Sequence, residues 1–329
     1  MPTYQGAYPF FDAARVRTYP LAERPNKVTL ADLVDLDRLA APEAGEGTET
    51  LDAVAEAVRS TRAADRPVIC FLGAHPIKLG LSPIFIDLME RGVLTHVAGT
   101  GATAIHDFEL ALIGATSENV PDALPRGRFG MARETGAYVN AVAAAGYARG
   151  LGLGEALGRA ILGERMPETI ACRHPEWSLL AAGVRLGIPV TLHVGIGTDI
   201  TDQHPGFDGA AKGGASGFDF GVYVASVARL ADGGVVLNIG SAVTGPEVLL
   251  KAVSMAANAS APPVGLVTAN FDLRPVEPAD AADEDTPTYY FRDNKSVVTR
   301  IPAAFGGVGH YVRGHFRNTL PALYQRLVR

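Results

Sequence analysis

The 329-residue chain has 47% hydrophobic and 19% charged residues, values typical of a packed globular protein. This composition excludes a disordered chain or a coiled coil, and two cysteines are too few for a disulfide scaffold or a four-cysteine zinc site. A net charge of -6 without any basic block argues against nucleic acid as a partner. The sequence shows neither a leader segment nor a long apolar stretch, which predicts a cytoplasmic protein without a membrane span.

Residues 1–50 are the first predicted segment, an N-terminal arm or extension rich in proline, aromatic and acidic residues. Within it, Thr29 and the leucines that follow at helical spacing predict a short helix. A single domain is predicted over residues 51–329, because apolar runs of strand length begin there and alternate with helical patterns.

The alternation continues through most of that domain. Strands are predicted at 67–72, 94–98, 189–194, 234–239 and 263–269, with helices between them at 84–91, 133–163, 176–187, 217–231 and 246–257. Strands that alternate with helices predict an α/β fold with a Rossmann-like, doubly wound, mostly parallel sheet and helices on both faces. The glycine-rich segment 206–217 predicts a mobile lid.

Four glycine-bearing loops follow predicted strands, and ligands in such sheets bind beyond the carboxyl ends of the strands. Glycines allow backbone N–H groups to approach phosphate oxygens, and the following helix N-termini favour an anion. No loop has the spacing of a dinucleotide fingerprint or a P-loop, so the pattern indicates a nucleotide-like ligand and no more. The loops are Gly73-Ala-His75, Gly99-Thr-Gly101, Gly195-Ile-Gly197 with Asp199, and Gly240-Ser241.

The order of these motifs resembles deoxyhypusine synthase over roughly residues 65–329. The resemblance is carried by residues 188–202 together with Phe71-Leu-Gly-Ala-His75, Val97-Ala-Gly-Thr-Gly-Ala102, His106-Asp107, Asn238-Ile-Gly-Ser-Ala242, and Tyr290-Phe-Arg-Asp-Asn-Lys295 with a strand expected after it. That family has a Rossmann-like domain, assembles as a tetramer, uses NAD to oxidise spermidine and transfers the aminobutyl group through an imine on a lysine. The resemblance therefore implies NAD as cofactor and a homotetramer.

The resemblance also assigns roles to individual residues. Asp202 falls where the family places the carboxylate that holds the amine substrate, and Lys295 where it has the imine-forming lysine. Such a lysine must be partly deprotonated, by burial or by a cationic neighbour such as Arg292. The predicted NAD-binding residues are Gly73, Ala74, Gly99, Thr100, Gly101, Gly197, Asp199, Gly240 and Ser241.

Departures from the family pattern point to a different substrate. The family's catalytic histidine has no counterpart in residues 243–247, and Tyr289 replaces an acidic residue six positions before Lys295. A polyamine needs carboxylates to match its ammonium groups, so these losses argue against spermidine. The sequence predicts an NAD-dependent transferase or lyase that acts on an amine or amino acid through an imine, with Tyr289 and Arg292 near the substrate. His75 or His106 would move protons.

Two other hypotheses remain open from the sequence. His193, Asp199 and His204 lie within a short stretch, and nitrogen and oxygen ligands of this kind suit zinc or manganese in a metal-dependent hydrolase. The fold could also serve a non-catalytic binding protein. The retained glycines at 73, 99, 101, 195, 197 and 240 count against a decayed cofactor pocket.

Overall fold

The computed structural model describes residues 4–39, 48–276 and 283–328. Its strands are β1 (Asn26–Thr29), β2 (Val68–Leu72), β3 (His96–Thr100), β4 (Ala115–Glu118), β5 (Val190–His193), β6 (Val235–Ile239), β7 (Val267–Asp272) and β8 (Val308–Arg313). Its helices are α1 (Thr48–Ala63), α2 (His75–Lys78), α3 (Ser82–Glu90), α4 (Gly101–Ile113), α5 (Val120–Ala123), α6 (Arg133–Ala148), α7 (Leu153–Ile161), α8 (Leu179–Leu186), α9 (Gly209–Ala228), α10 (Thr244–Asn258), α11 (Ile301–Ala304) and α12 (Phe316–Val328). A π-helix spans Asn294–Arg300.

A six-stranded parallel sheet forms the centre of the fold, in the order β5-β3-β2-β6-β7-β8. Numbered along the chain within this sheet, the order is 3-2-1-4-5-6, which is the order of Rossmann dinucleotide-binding domains. The order reverses between β2 and β6, so the ligand-binding crevice of such a fold lies at their carboxyl ends. The predicted Rossmann-like α/β fold is confirmed.

Both faces of the sheet are covered by helices, as the continuous apolar strands require. Cys70 and Leu72 of β2 face a core cluster with α1, α3 and α12, while Ile69 and Phe71 face one with α9, α10 and the π-helix. All five residues of β2 are buried. Within the described ranges, no helix combines the length and apolar character needed to cross a bilayer.

The helix predicted from Thr29 is wrong. Thr29 ends β1, which pairs with β4 in a small antiparallel sheet, and short 3₁₀ turns follow at Leu30–Asp32 and Leu36–Arg38. The Asp32 carboxylate accepts the backbone N–H of Thr29 and caps only one such turn. The described part of the predicted arm is attached to the domain, because Arg24 forms a buried ion pair with Glu109 of α4.

The glycine-rich segment 206–217, which composition predicts as a mobile lid, is helical from Gly209 onward. The Asp208 side chain accepts the backbone N–H groups of Ala210 and Ala211, which starts α9. This helix also covers the edge strand: Ser216 and Asp219 bond backbone groups of β5 and the residue after it. Those contacts replace a neighbouring strand.

Candidate functional site

The four glycine-bearing loops predicted as a site all lie at the carboxyl edge of the parallel sheet. At the point where the strand order reverses, the Gly73 N–H donates to the Ile239 carbonyl at 2.9 Å. A Cβ on Gly73 would collide with the Gly240 carbonyl, and Gly240 has φ +70°. Only glycine lets these two chain segments approach so closely, so both glycines are needed for the shape of the crevice. Ala74 and Ser241 extend the same two loops.

The loop at Thr100-Gly101 begins α4, and the Thr100 hydroxyl accepts the Thr103 N–H as an N-cap. A Cβ on Gly101 would collide with the Asp199 carboxylate. The positive end of the α4 dipole therefore already has a carboxylate from the same chain beside it. A phosphate group at this helix end would have to displace Asp199.

Asp199 and Asp202 are bridged by Lys212, a residue to which the sequence pattern assigns no role. The Lys212 Nζ donates to Asp199 Oδ2 at 2.8 Å and also contacts Asp202 Oδ1, and all three side chains are nearly fully buried. Asp202 Oδ2 accepts the Gly197 N–H at 2.7 Å. Burial raises the pKa of Asp199, although Lys212 pulls it down. Lys212 stands where an amine substrate of Asp202 was predicted to bind, so such a substrate would have to share that carboxylate.

A fixed hydrogen-bond network determines the tautomer of His106. Burial alone would raise the pKa of Glu109, but the bonds from Arg24 and two threonine hydroxyls lower it below its usual value. An ionised carboxylate only accepts, so the Thr116 hydroxyl donates to Glu109 at 2.6 Å. The remaining lone pair of Thr116 accepts from His106 Nδ1 at 2.7 Å.

His106 is consequently protonated on Nδ1. Burial lowers the pKa of His106 to about 4, which keeps the ring neutral at physiological pH. A neutral ring with hydrogen on Nδ1 has a free lone pair on Nε2, the state that a general base requires. His75 differs: it is exposed, its ring meets that of Phe316 edge to face, and burial together with Lys78 and His315 lowers its pKa.

Lys295 lies in the π-helix, which packs on the face of the sheet that α9 and α10 also cover. Its side chain is buried, with 3% of the residue exposed. Its Nζ is 2.8 Å from the centroid of the Tyr289 ring. Among the described residues this amine has no hydrogen-bond or ion-pair partner. Arg292 is exposed and its guanidinium faces Glu247 at 3.7 Å. π-Helical turns are frequent at functional sites, and this one places a lysine without a charge partner in the protein interior.

A chain of polar side chains connects β6 and β7 to the π-helix. Asn238 Nδ2 donates to Asn270 Oδ1 at 2.7 Å, and Asn270 Nδ2 donates to Asp293 Oδ2 at 3.1 Å. Within the described part of the chain, Asn238 Oδ1, Asp293 Oδ1 and both polar atoms of Asn294 have no partner, although all are buried. Each such group costs about 1–3 kcal/mol, so this cluster beside Lys295 is incomplete without ordered water or a ligand.

Each of the three residues of the metal-site hypothesis is engaged by other groups of the protein. His193 is enclosed by the rings of Phe71, Phe220 and Tyr223, and burial lowers its pKa to about 4. His204 bonds the Gly130 carbonyl through Nε2 at 2.8 Å, and Asp199 is paired with Lys212. Throughout the described residues, no group of three or more His, Cys, Asp or Glu side chains is placed to hold a metal ion.

No protein-family model and no curated protein matches the chain. Its fold is similar to the structure of ArgZ, an arginine dihydrolase from the ornithine-ammonia cycle in cyanobacteria, with a TM-score of 0.50 and 16% identity over 87% of this chain and 32% of that one. It is also similar to a ternary complex of AgrE with ornithine and NAD+, with a TM-score of 0.51 and 16% identity over 87% of this chain and 34% of that one.

This chain thus spans only about a third of the length of each of those proteins. Identities this low show a shared fold and leave the chemistry of this chain open. Neither similarity shows membership of the deoxyhypusine synthase family, which stays a prediction from the sequence.

Proposed function

We propose that this chain is an NAD-dependent enzyme that acts on an amino acid or a related amine, with Lys295 as its nucleophile. The observation that carries the proposal is the buried amine of Lys295, which has no ion pair and lies near buried polar atoms without partners. The Rossmann strand order supports a dinucleotide, and the AgrE complex, which shares the fold, contains ornithine and NAD+.

The strand order reverses between β2 and β6. The loops that follow these two strands suit NAD better than the loop that precedes α4. Gly73-Ala74 and Gly240-Ser241 carry no bulky side chain, and their glycines hold β2 and β6 close together. Gly197 has open space around its α-carbon and φ +82°. By contrast, Asp199 lies against Gly101, and a carboxylate repels phosphate. We therefore assign the cofactor mainly to the first two loops, with Gly99, Thr100 and Gly101 packing beside them.

NAD, when bound, would accept a hydride from the carbon that bears the substrate nitrogen. The amine of Lys295 would then add to that carbon as the substrate nitrogen leaves, which gives an imine on the lysine. Asp293 Oδ1 and Asn294 Oδ1 would offer acceptors to an ammonium group, which would share the Asp293 carboxylate with Arg274, and Asn294 Nδ2 would offer a donor to a carboxylate. His106 Nε2 has the protonation state of a base, but no contact among the described residues brings it to Lys295, so its role in proton transfer stays a prediction from the sequence.

Several finer statements belong to the proposal and rest on the sequence resemblance. They are a transferase or lyase reaction of deoxyhypusine synthase type, a homotetramer, and a substrate other than spermidine. Light scattering of the purified protein measures the mass of the assembly: a tetramer supports the resemblance, and a monomer contradicts this part of it.

Trapping the imine tests the proposal directly. The full-length protein is incubated with NAD and ornithine and quenched with borohydride, and its peptides are analysed by mass spectrometry. We expect a reduced adduct on Lys295, formed only when both compounds are present and absent from Lys295→Arg. Lys251 pairs with Glu247 on the surface, so Lys251→Arg is the matched control and should retain the adduct. If a panel of amino acids and amines gives neither NADH nor an adduct, the proposal is wrong.

A further inference from the structure

A second cavity lies beside the edge strand β5, outside the site at the carboxyl ends of the strands. It has a volume of about 430 Å³ and is enclosed by α7, α8, α9 and the amino-terminal half of β5. This volume is in the range of small-molecule sites. Its walls are largely apolar, formed by Leu180, Val184, Ile188, Pro189, Val190 and Val222.

A buried carboxylate forms part of this cavity. Asp219 is 2% exposed, and its Oδ2 accepts the N–H groups of Gly154 at 2.9 Å and Leu192 at 2.8 Å. A Cβ on Gly152 would collide with Asp219 Oδ1, so glycine is required here because this oxygen approaches the chain closely just before α7. Among the described residues, no lysine, arginine or histidine forms an ion pair with Asp219. The backbone donor Gly154 lies in the first turn of α7, so the positive end of this helix offsets part of the cost of burying the charge, but no charged side chain balances it.

The rim of the cavity adds further negative charge. Arg159 pairs with Glu155 at 2.5 Å and lies 3.6 Å from Glu164, which also binds Arg149 at 2.5 Å. The cavity is thus lined by three carboxyl groups and one arginine whose charge is already shared. Such a lining complements a cation and repels an anion.

We propose that this cavity binds an organic cation, a single ammonium or guanidinium group on a short apolar body, with the charged end on Asp219. The apolar walls take the body of the ligand, and its N–H donors reach Asp219 Oδ1. This site does not depend on the proposed NAD-linked activity. A purely structural role for Asp219, holding Leu192 and Gly154 in place, would account for the charge but would need no cavity.

Proton release gives the proposal a second readout. Burial raises the pKa of Asp219 to about 7, against the pull of its backbone donors, and Glu155 adds to the rise. A bound cation favours the ionised carboxylate, so binding releases a proton and tightens as the pH rises through about 7. The other charged groups around the cavity are Arg159 and Glu164, while Arg185 of α8 pairs with Glu90 outside it.

Calorimetry of the full-length protein with pentylamine and pentan-1-ol tests the site. We expect saturable binding of the amine, weaker by about tenfold or more for the alcohol, with proton release detected from buffers of different ionisation enthalpy. Asp219→Asn keeps an acceptor for the backbone and should weaken amine binding by about tenfold or more. Val222→Trp, at a partly exposed wall position, should block both probes.

Glu90→Gln is the control, because Glu90 pairs with Arg185 outside the cavity and loss of that exposed charge should change the affinity by less than about threefold. If Asp219→Asn does not fold, the effect of Val222→Trp on amine binding and the pH dependence of amine binding to the wild type still test the proposal. No binding of the amine, equal binding of amine and alcohol, or amine binding unchanged by Val222→Trp would overturn the proposal.

Discussion

Replacing Lys212 by methionine tests the account of the two carboxylates beside α4. The lysine bridges Asp199 and Asp202, and the three side chains are only 4–6% exposed. Methionine retains much of the apolar volume but leaves two buried carboxylates facing each other. Removing one partner of a buried ion pair costs about 3–5 kcal/mol, a large share of the roughly 5–15 kcal/mol that stabilises a typical domain.

Chemical denaturation at two pH values measures this effect and its sign. The pKa of Asp199 is already raised by burial, and loss of Lys212 removes the charge that lowers it. A carboxyl whose folded-state pKa is raised binds its proton more tightly when folded, so its penalty decreases as the pH falls toward its ordinary value of 3.8. We therefore expect the variant to lose most stability at neutral pH and to recover part of it in mild acid.

Two further variants make the reasoning refutable. Asp199→Asn combined with Lys212→Met removes one of the unpaired charges and should be more stable than Lys212→Met alone. Lys251→Met removes an exposed lysine paired with Glu247 and should cost less than about 1 kcal/mol. A loss below about 1 kcal/mol for Lys212→Met at neutral pH, or a loss that grows in acid, would refute the account.

The remaining expectations concern the network around His106 and the packing of α4. Nitrogen NMR of the wild-type protein should find His106 neutral with its hydrogen on Nδ1, and Thr116→Val should shift the tautomer toward Nε2; a wild-type ring with hydrogen on Nε2 would contradict the network. Gly101→Ala should cost about 1–3 kcal/mol in urea denaturation, because its Cβ would collide with Asp199. Gly217→Ala, in mid-helix with nothing within 4 Å, should stabilise by about 0.4–1 kcal/mol, and equal effects of the two variants would count against the packing argument.

The central strands could be predicted from the sequence because their signal is local. β2 and β6 are short apolar runs bounded by glycine, proline or charged residues, and each run matches a strand, whereas the run predicted at 263–269 overlaps β7 only at its last three residues. Parallel strands all end at one edge, so the positions of Gly73 and Gly240 follow from the order of elements. The strand expected after Lys295 is wrong in position, because residues 294–300 form a π-helix and β8 begins only at Val308, in a stretch without a strong apolar run.

The parts that sequence reasoning missed depend on contacts between distant residues. Lys212 lies in a glycine-rich stretch that predicts a loop, and only Asp199 and Asp202 on another loop give it a partner. Lys295 is buried without an ion-pair partner in a π-helix, for which the sequence has no marker. A spacing of ten to thirteen residues between Asp202 or Asp199 and Lys212 could have suggested an ion pair, but no simple rule singles it out.

Calorimetric titration with NAD tests the central claim most directly. We expect saturable, metal-independent binding to the wild-type protein and its loss in Ala74→Trp, which places a bulky side chain in the β2 loop. Ala225→Trp, on the exposed face of α9, should bind NAD like the wild type. Absence of NAD binding by the folded wild-type protein would contradict the proposed function, and binding unchanged by Ala74→Trp would contradict the assignment of the cofactor to that loop.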